Sequence, residues 1–261
     1  MAVLPIETVD IDGGSIAYLE TGTGDPLIYL HGAGGRPPAG ATFVSELGRS
    51  NRVLVPSRPG FDESPMGRCA TVRDAADAIA AFIDKVAGRP AHVVAQSAGG
   101  AVGLWLAVLH LHLVADLVLS APSAFAHRPA SAGSPARGAE ELDRILYGDQ
   151  PSWSSPPDDE EQARIRRNAA FNMQHFAGSN DELRERLGEI KTPVLVIWGT
   201  EDRLVPPENS KFYQEHIPHA LRMFIYGAAH ELPIAATQRW VALVGDFIRR
   251  GEFFVVNAGS E

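Results

Sequence analysis

Apolar residues along the chain follow two rhythms. Six short runs are apolar almost throughout and end at or just before a Gly, Pro or Ser: "PLIYLHG", "RVLVPSRPG", "AHVVAQ", "VADLVLSAP", "TPVLVIWG" and "ALRMFIYG". Continuous rather than alternating apolar character marks strands buried on both faces. Between them the spacing shifts to the helical one. In residues 71–87 the apolar positions are Val72, Ala75, Ala76, Ile79, Phe82, Ile83 and Val86, with Gly88 just beyond as a stop. "GGAVGLWLAVLH" reads as a buried helix, and "PPENSKFYQEHI" and "TQRWVALVGDFIRR" as further helices. At the front, residues 6–10 and 15–20 flank "DGG", a hairpin signal.

Strand and helix in alternation imply an α/β fold with a mostly parallel sheet covered by helices. The alternation breaks at residues 127–189, which are rich in Pro, Ser, Gly and charge, with helical patches at 139–146 and 158–176. So long an interruption is an inserted subdomain rather than a loop. The expected division is a core of residues 1–126 and 190–261 with a helical cap at 127–189. The tail "EFFVVNAGSE" carries four apolar residues, expected to pack on the core or meet a second subunit. No internal repeat is found.

Composition narrows the classes. The 261 residues suit one large domain or a core with an insertion, and 45% hydrophobic with 21% charged is ordinary for a globular protein. A formal net charge of −9 argues against a nucleic-acid partner, which needs a basic face. A single Cys rules out an intramolecular disulfide and a cysteine-rich metal site. Neither a membrane span nor a signal peptide is read in the chain. The expectation is a cytoplasmic monomer or homodimer with a small-molecule substrate, no membrane partner, no metal and no cofactor.

The chemistry gathers at the loops after the strands. "HVVAQSAGG" puts Ser97 between a strand and a helix, among Ala95, Ala98, Gly99 and Gly100. A sharp strand–turn–helix demands small neighbours, and it aims the amides of the following helix at the serine. A serine hydroxyl needs a base to take its proton. Of nine histidines, His230 in "YGAAHELP" follows the last apolar strand, at the same sheet edge. His31 is read instead as a residue that shapes its loop. The base needs an acid, and "VLVIWGTEDRLVPP" supplies Asp202, preferred over the adjacent Glu201.

With these residues assembled, the chain resembles the α/β-hydrolase fold with a cap. The order Ser97, Asp202, His230 matches that family's nucleophile, acid and base. "HGAGG" (31–35) resembles its oxyanion loop, which implies the backbone N–H groups of Ala33 and Ala98 as oxyanion hole. "SRPGFDESP" (57–65) resembles its D-x-P-G-x-G-x-S loop. The likeness spans roughly residues 6–250 apart from the insertion. Ala95 stands where the elbow motif has its first Gly, and Gln96 where His or Tyr is common. Ser57 and Asp62 stand where the other loop has Asp and Gly, which leaves that loop's internal hydrogen bonds open.

Gly32, Trp105, Phe125, Trp153, Phe171, Met173 and Phe176 are the candidates for lining a largely apolar substrate pocket. The first expectation is a serine hydrolase of esters, lactones or related acyl compounds. A C–C bond hydrolase or lyase using the same triad, or a ligand receptor on this fold, stands as the alternative.

Overall fold

Asp12 and Gly13 turn the chain between β1 (Ile6–Ile11) and β2 (Gly14–Thr21), which pair antiparallel with Ile11 opposite Gly14. The computed structural model describes residues 4–125, 138–149, 151–176 and 180–251. The six apolar runs become β3 (Asp25–Leu30), β4 (Asn51–Pro56), β5 (Ala91–Gln96), β6 (Val114–Ser120), β7 (Val194–Gly199) and β8 (Ala220–Ile225). One sheet holds all eight in the order β1-β2-β4-β3-β5-β6-β7-β8. From β4 onward every pair is parallel, while β2 runs antiparallel to β4.

The helices are α1 (Phe43–Leu47), α2 (Val72–Phe82), α3 (Gly99–Leu109), α4 (Ala139–Tyr147), α5 (Asp159–His175), α6 (Asp181–Arg186), α7 (Ser210–His216), α8 (Leu232–Ala235) and α9 (Thr237–Arg250). Strand alternation distributes them over the two faces. Leu30 faces α3, where its Cδ1 lies 3.8 Å from the place a Cβ on Gly103 would take. Its neighbour Tyr29 faces the other way, with ring centroid 4.9 Å from Phe43 of α1 and 6.4 Å from Trp240 of α9.

The helix expected over 71–87 starts as read. Thr71 accepts from the Asp74 N–H and the Asp74 carboxylate answers the Thr71 N–H, a capping box. It is α-helical to Phe82 and finishes in a π-type turn (Ile83–Ala87) closed by Gly88 at φ 68°. Helices α1 and α6 have too few residues to show a period, and the apolar pattern does not announce them. Between β6 and β7 the insertion contributes α4, α5 and α6. Residues 126–137 and the tail from 252 onward, with its expected core or subunit contact, lie outside the described residues.

Topology locates the crevice. From β3 the chain passes to β4 on one side and then crosses to β5 on the other. The loops leaving β3 and β5 therefore part, and such a switch point at the carboxyl ends of parallel strands is where this class of fold holds ligands.

Candidate active site

Ser97 is the first residue after β5 and has a φ of 48°, left-handed backbone that a non-glycine residue adopts at a cost on the order of 1–2 kcal/mol. The surroundings hold it there. Its N–H donates to Ser120 O at 2.9 Å, and its carbonyl accepts from the N–H groups of Gly100 and Ser123 at 3.0 Å. The need for small neighbours is visible in the packing. A Cβ on Gly99 would lie 2.5 Å from Leu30 O, and one on Gly100 would lie 2.6 Å from the Pro122 Cβ. Gly103 explains why Ala95 is tolerated, because a Cβ there would come within 2.9 Å of the Ala95 methyl. Helix α3 yields at position 103 the space that the strand takes at 95.

His230 arrives on the loop between β8 and α8, and Asp202 on the loop after β7. His230 Nε2 lies 2.9 Å from Ser97 Oγ, and His230 Nδ1 lies 2.8 Å from Asp202 Oδ2. The three side chains are buried, at 5%, 1% and 4% residue exposure for Ser97, His230 and Asp202. Asp202 is held by its own loop. Its Oδ1 accepts from the N–H groups of Leu204 (3.0 Å) and Val205 (2.8 Å), and its Oδ2 from the Trp198 indole at 3.1 Å. With Oδ1 engaged by two backbone donors, Oδ2 is turned to the imidazole. Glu201 faces solvent beside Arg203 instead. Gln96 donates through Nε2 to His230 O at 3.0 Å and ties the histidine loop to the end of β5. The sequence reading passed over Trp198, whose only signal is an indole four residues before the acid.

Ala33 follows the β3 turn and Ala98 precedes α3. Neither backbone N–H donates to a described backbone carbonyl. Gly32, next to Ala33, approaches the serine closely, and a Cβ there would lie 3.4 Å from Ser97 Cβ. The loop behind is built on His31, whose Nδ1–H donates to Gly32 O at 2.8 Å while its Nε2 accepts the Arg58 N–H at 3.1 Å. Burial, reinforced by the Arg58 guanidinium, pushes the His31 imidazole down to about 3, so it is neutral at physiological pH. Arg58 is itself 1% exposed and donates from Nη2 to Gly32 O at 3.0 Å.

The departures at Ser57 and Asp62 have a structural answer. Asp62 has a φ of 51°, where the related motif has glycine, and aspartate tolerates that region better than most residues. Its carboxylate accepts from the Arg36 N–H (2.8 Å), Ser57 Oγ (3.2 Å), Arg164 Nη1 (2.6 Å) and Asn168 Nδ2 (2.7 Å). Arg164 and Asn168 belong to α5. The loop thus carries its acid five residues beyond Ser57, where it fastens the insertion to the core. Burial opposes its ionisation, yet His31, the Arg36 N–H and Arg164 outweigh burial and hold the carboxyl below its ordinary value.

The pocket candidates scatter. Gly32 lines a small inner cavity with Tyr29, Tyr147, Ile165 and Glu231. Trp153 lines a larger groove between α4 and α5, its ring 5.1 Å from that of Tyr147. Phe171 and Phe176 dock on Phe61, at 5.2 and 6.0 Å between centroids. Phe125 packs on Phe212 and Tyr213 of α7. Trp105 lies under the guanidinium groups of Arg73 and Arg186. Met173 is 59% exposed. Among the described residues no cluster of His, Cys, Asp and Glu is arranged to hold a metal ion, and no helix is long and apolar enough to cross a membrane.

The chain is similar to known proteins in both sequence and fold. The model of the alpha/beta hydrolase family matches residues 27–243. A pimeloyl-acyl-carrier-protein methyl ester esterase of Neisseria meningitidis is 26% identical over 244 residues, covering 85% of this chain and 93% of that protein. A 2-hydroxy-6-oxo-6-phenylhexa-2,4-dienoate hydrolase of Comamonas testosteroni is 26% identical over 230 residues, covering 77% and 79%. Among solved structures, a serine hydrolase involved in carbazole degradation superposes with a TM-score of 0.75 at 21% identity, covering 94% of this chain and 99% of that one.

Proposed function

The chain belongs to the alpha/beta hydrolase family, and we propose that it is a serine hydrolase acting at a carbonyl carbon of a small, largely apolar substrate. The observation that carries this reading is the unbroken line Ser97 Oγ, His230 Nε2, His230 Nδ1, Asp202 Oδ2 beneath the insertion. Ser97 Oγ adds to the carbonyl carbon while its proton passes to His230 Nε2. Asp202 keeps the imidazole in the tautomer that can receive it and stabilises the imidazolium. The N–H groups of Ala33 and Ala98 receive the oxyanion. Collapse breaks the bond to the leaving group, which takes the proton back from His230. Water then frees the acyl group from Ser97 by the same steps.

The relatives supply two leaving groups. The dienoate hydrolase is named for a ketone without an ester, so hydrolysis at its carbonyl breaks a carbon–carbon bond. The esterase is named for a methyl ester borne on a carrier protein. Burial of the triad under the insertion favours a small free molecule over a carrier-bound one, and we therefore place carbon–carbon cleavage of a ketone first. An ester or lactone of similar size is the second reading, because an alkoxide can leave with the His230 proton alone and the esterase relative shares the fold.

The test is direct. A 6-phenyl-6-oxo-dienoate and a 4-nitrophenyl ester are offered to the purified protein, and a fluorophosphonate is used to label it. Label on Ser97 is expected, with turnover of the dienoate lost on the order of 10⁴-fold in Ser97→Ala. Turnover of the ester alone moves the reading to the second leaving group. Label elsewhere, with neither substrate turned over, ends both.

A further inference from the structure

A cavity of about 40 Å³ lies against Gly32, and besides Arg36 three polar side chains reach its wall. They are Tyr29 of β3, Tyr147 at the end of α4 and Glu231, the residue after His230. None of the two hydroxyls and the carboxyl makes a hydrogen bond to a described residue. Tyr29 is 3% exposed, and its hydroxyl oxygen lies on that accessible part, so it opens on the cavity with no protein partner among the described residues. Glu231 Oε1 lies 3.4 Å from the place a Cβ on Gly32 would occupy, and Ser97 Cβ lies 3.4 Å from the same place. The carboxyl and the nucleophile thus both approach the same point beside Gly32. The fold sets the three groups together: the Glu231 N–H donates to Leu146 O at 2.7 Å, so Tyr147 and Glu231 sit next to a shared backbone bond.

We propose that Tyr29, Tyr147 and Glu231 form a subsite that takes one neutral oxygen, a hydroxyl or a carbonyl, carried on the substrate near the scissile bond. The inference rests on Ser97 being the nucleophile, as read above. The volume suits one small polar group, since a water's share of liquid is about 30 Å³.

The charges around the cavity favour a neutral guest. Arg36 also lines it, but its guanidinium is engaged by Glu63. His230 and Asp202 stand as a pair on the triad side. Burial raises the Glu231 carboxyl above its ordinary value, with His230 opposing and Asp202 reinforcing. Burial, then Glu231 and Tyr147, raises the Tyr29 hydroxyl in the same way. Two phenols beside a carboxyl whose ionisation burial opposes offer both donors and acceptors. A carboxylate guest would be buried there with no free cation among the lining residues, which is costly.

The experiment compares labelling rates of Ser97 by fluorophosphonates with a butyl, a 3-hydroxybutyl or a 3-carboxypropyl chain. The unsubstituted protein is expected to react about 10-fold faster with the hydroxybutyl probe than with the butyl one, from one or two neutral hydrogen bonds. Tyr29→Phe, Tyr147→Phe and Glu231→Leu should each lower that ratio roughly 3- to 10-fold. Glu231→Gln, which still donates and accepts, should keep most of it. A ratio near one in the unsubstituted protein, or one unmoved by the Phe and Leu variants, overturns the subsite. So does fastest labelling by the carboxypropyl probe, because the subsite then reads charge. No labelling of Ser97 by any probe overturns the nucleophile itself, and the subsite with it; labelling without discrimination overturns the subsite alone.

Discussion

Asp202 and Asp62 are both buried carboxylates, yet they are held in opposite ways. At the triad, Asp202 takes its supporting donors from residues two, three and four positions away, Leu204, Val205 and Trp198. At the seam between insertion and core, Asp62 takes Arg164 and Asn168 from 102 and 106 residues away. The first arrangement is fixed by the geometry of one loop at a strand end. The second exists only once α5 lies against the loop after β4. A reacting group is thus built on rigid core elements, while the element that encloses it is attached by long-range charge-assisted bonds.

The sharpest break of this contrast is at the triad. Asp202→Asn keeps the shape but exchanges an acceptor for a donor at His230 Nδ1, and kcat is expected to fall on the order of 10⁴-fold. Combined with Ser97→Ala it should cost little more than Ser97→Ala alone, because the groups act as one unit. Additive losses in the double variant would show that Asp202 acts apart from Ser97.

The seam should respond in stability instead. Asp62→Asn leaves Arg164, only 13% exposed, without its counter-charge, and a loss of roughly 2–4 kcal/mol is expected in urea unfolding. The loss is bounded because Arg164 can turn toward water. The same region confers acid sensitivity. Unfolded, His31 takes up a proton near its ordinary value of 6.5; native, it refuses one until about 3. Acid therefore favours the unfolded chain across that window, and stability should drop by about 2 kcal/mol from pH 7 to pH 5. Equal stability at the two values would mean that His31 is protonated in the native protein. Asp62 adds to the fall only below the ordinary carboxylate range, since its native value is depressed.

How much of this was legible follows from the same distinction. Strands β3 to β7 and helices α2, α3 and α9 show in the apolar rhythm because each buries a long face. Ser97, Asp202 and His230 show because each lies just beyond the end of a strand that the apolar pattern marks. The expectation for Ser57 and Asp62 stopped at an open question, since the answer is an arginine on a helix a hundred residues on. The aromatic residues misled for a related reason. Trp105 and Phe125 have the composition of pocket walls, but a helix face cannot announce which neighbour will cover it, and arginine stems and α7 cover these two. Tyr29 and Glu231 were passed over because one reads as strand core and the other as a loop charge.

The smallest effect expected is in the groove between α4 and α5, and it separates enclosure from chemistry most finely. The groove, of about 660 Å³, is lined by Tyr147, Trp153, Pro156 and Ile165 among others. Tyr147 and Ile165 also line the inner cavity, so the two spaces meet at that pair. A substrate reaching from Ser97 past them would lay its distal part along Trp153. Trp153→Ala should then lower kcat/KM for long or aryl-bearing substrates relative to short ones by about 1–2 kcal/mol, roughly 5- to 30-fold in the ratio. Short substrates, which end before the groove, should change little. Met173→Ala provides the contrast inside the same insertion: at 59% exposure its side chain faces solvent, and the ratio should stay as it was. If Met173→Ala shifts chain-length preference and Trp153→Ala does not, substrates enter over the outer face of α5. The groove would then be a gap in the packing rather than a path to the serine.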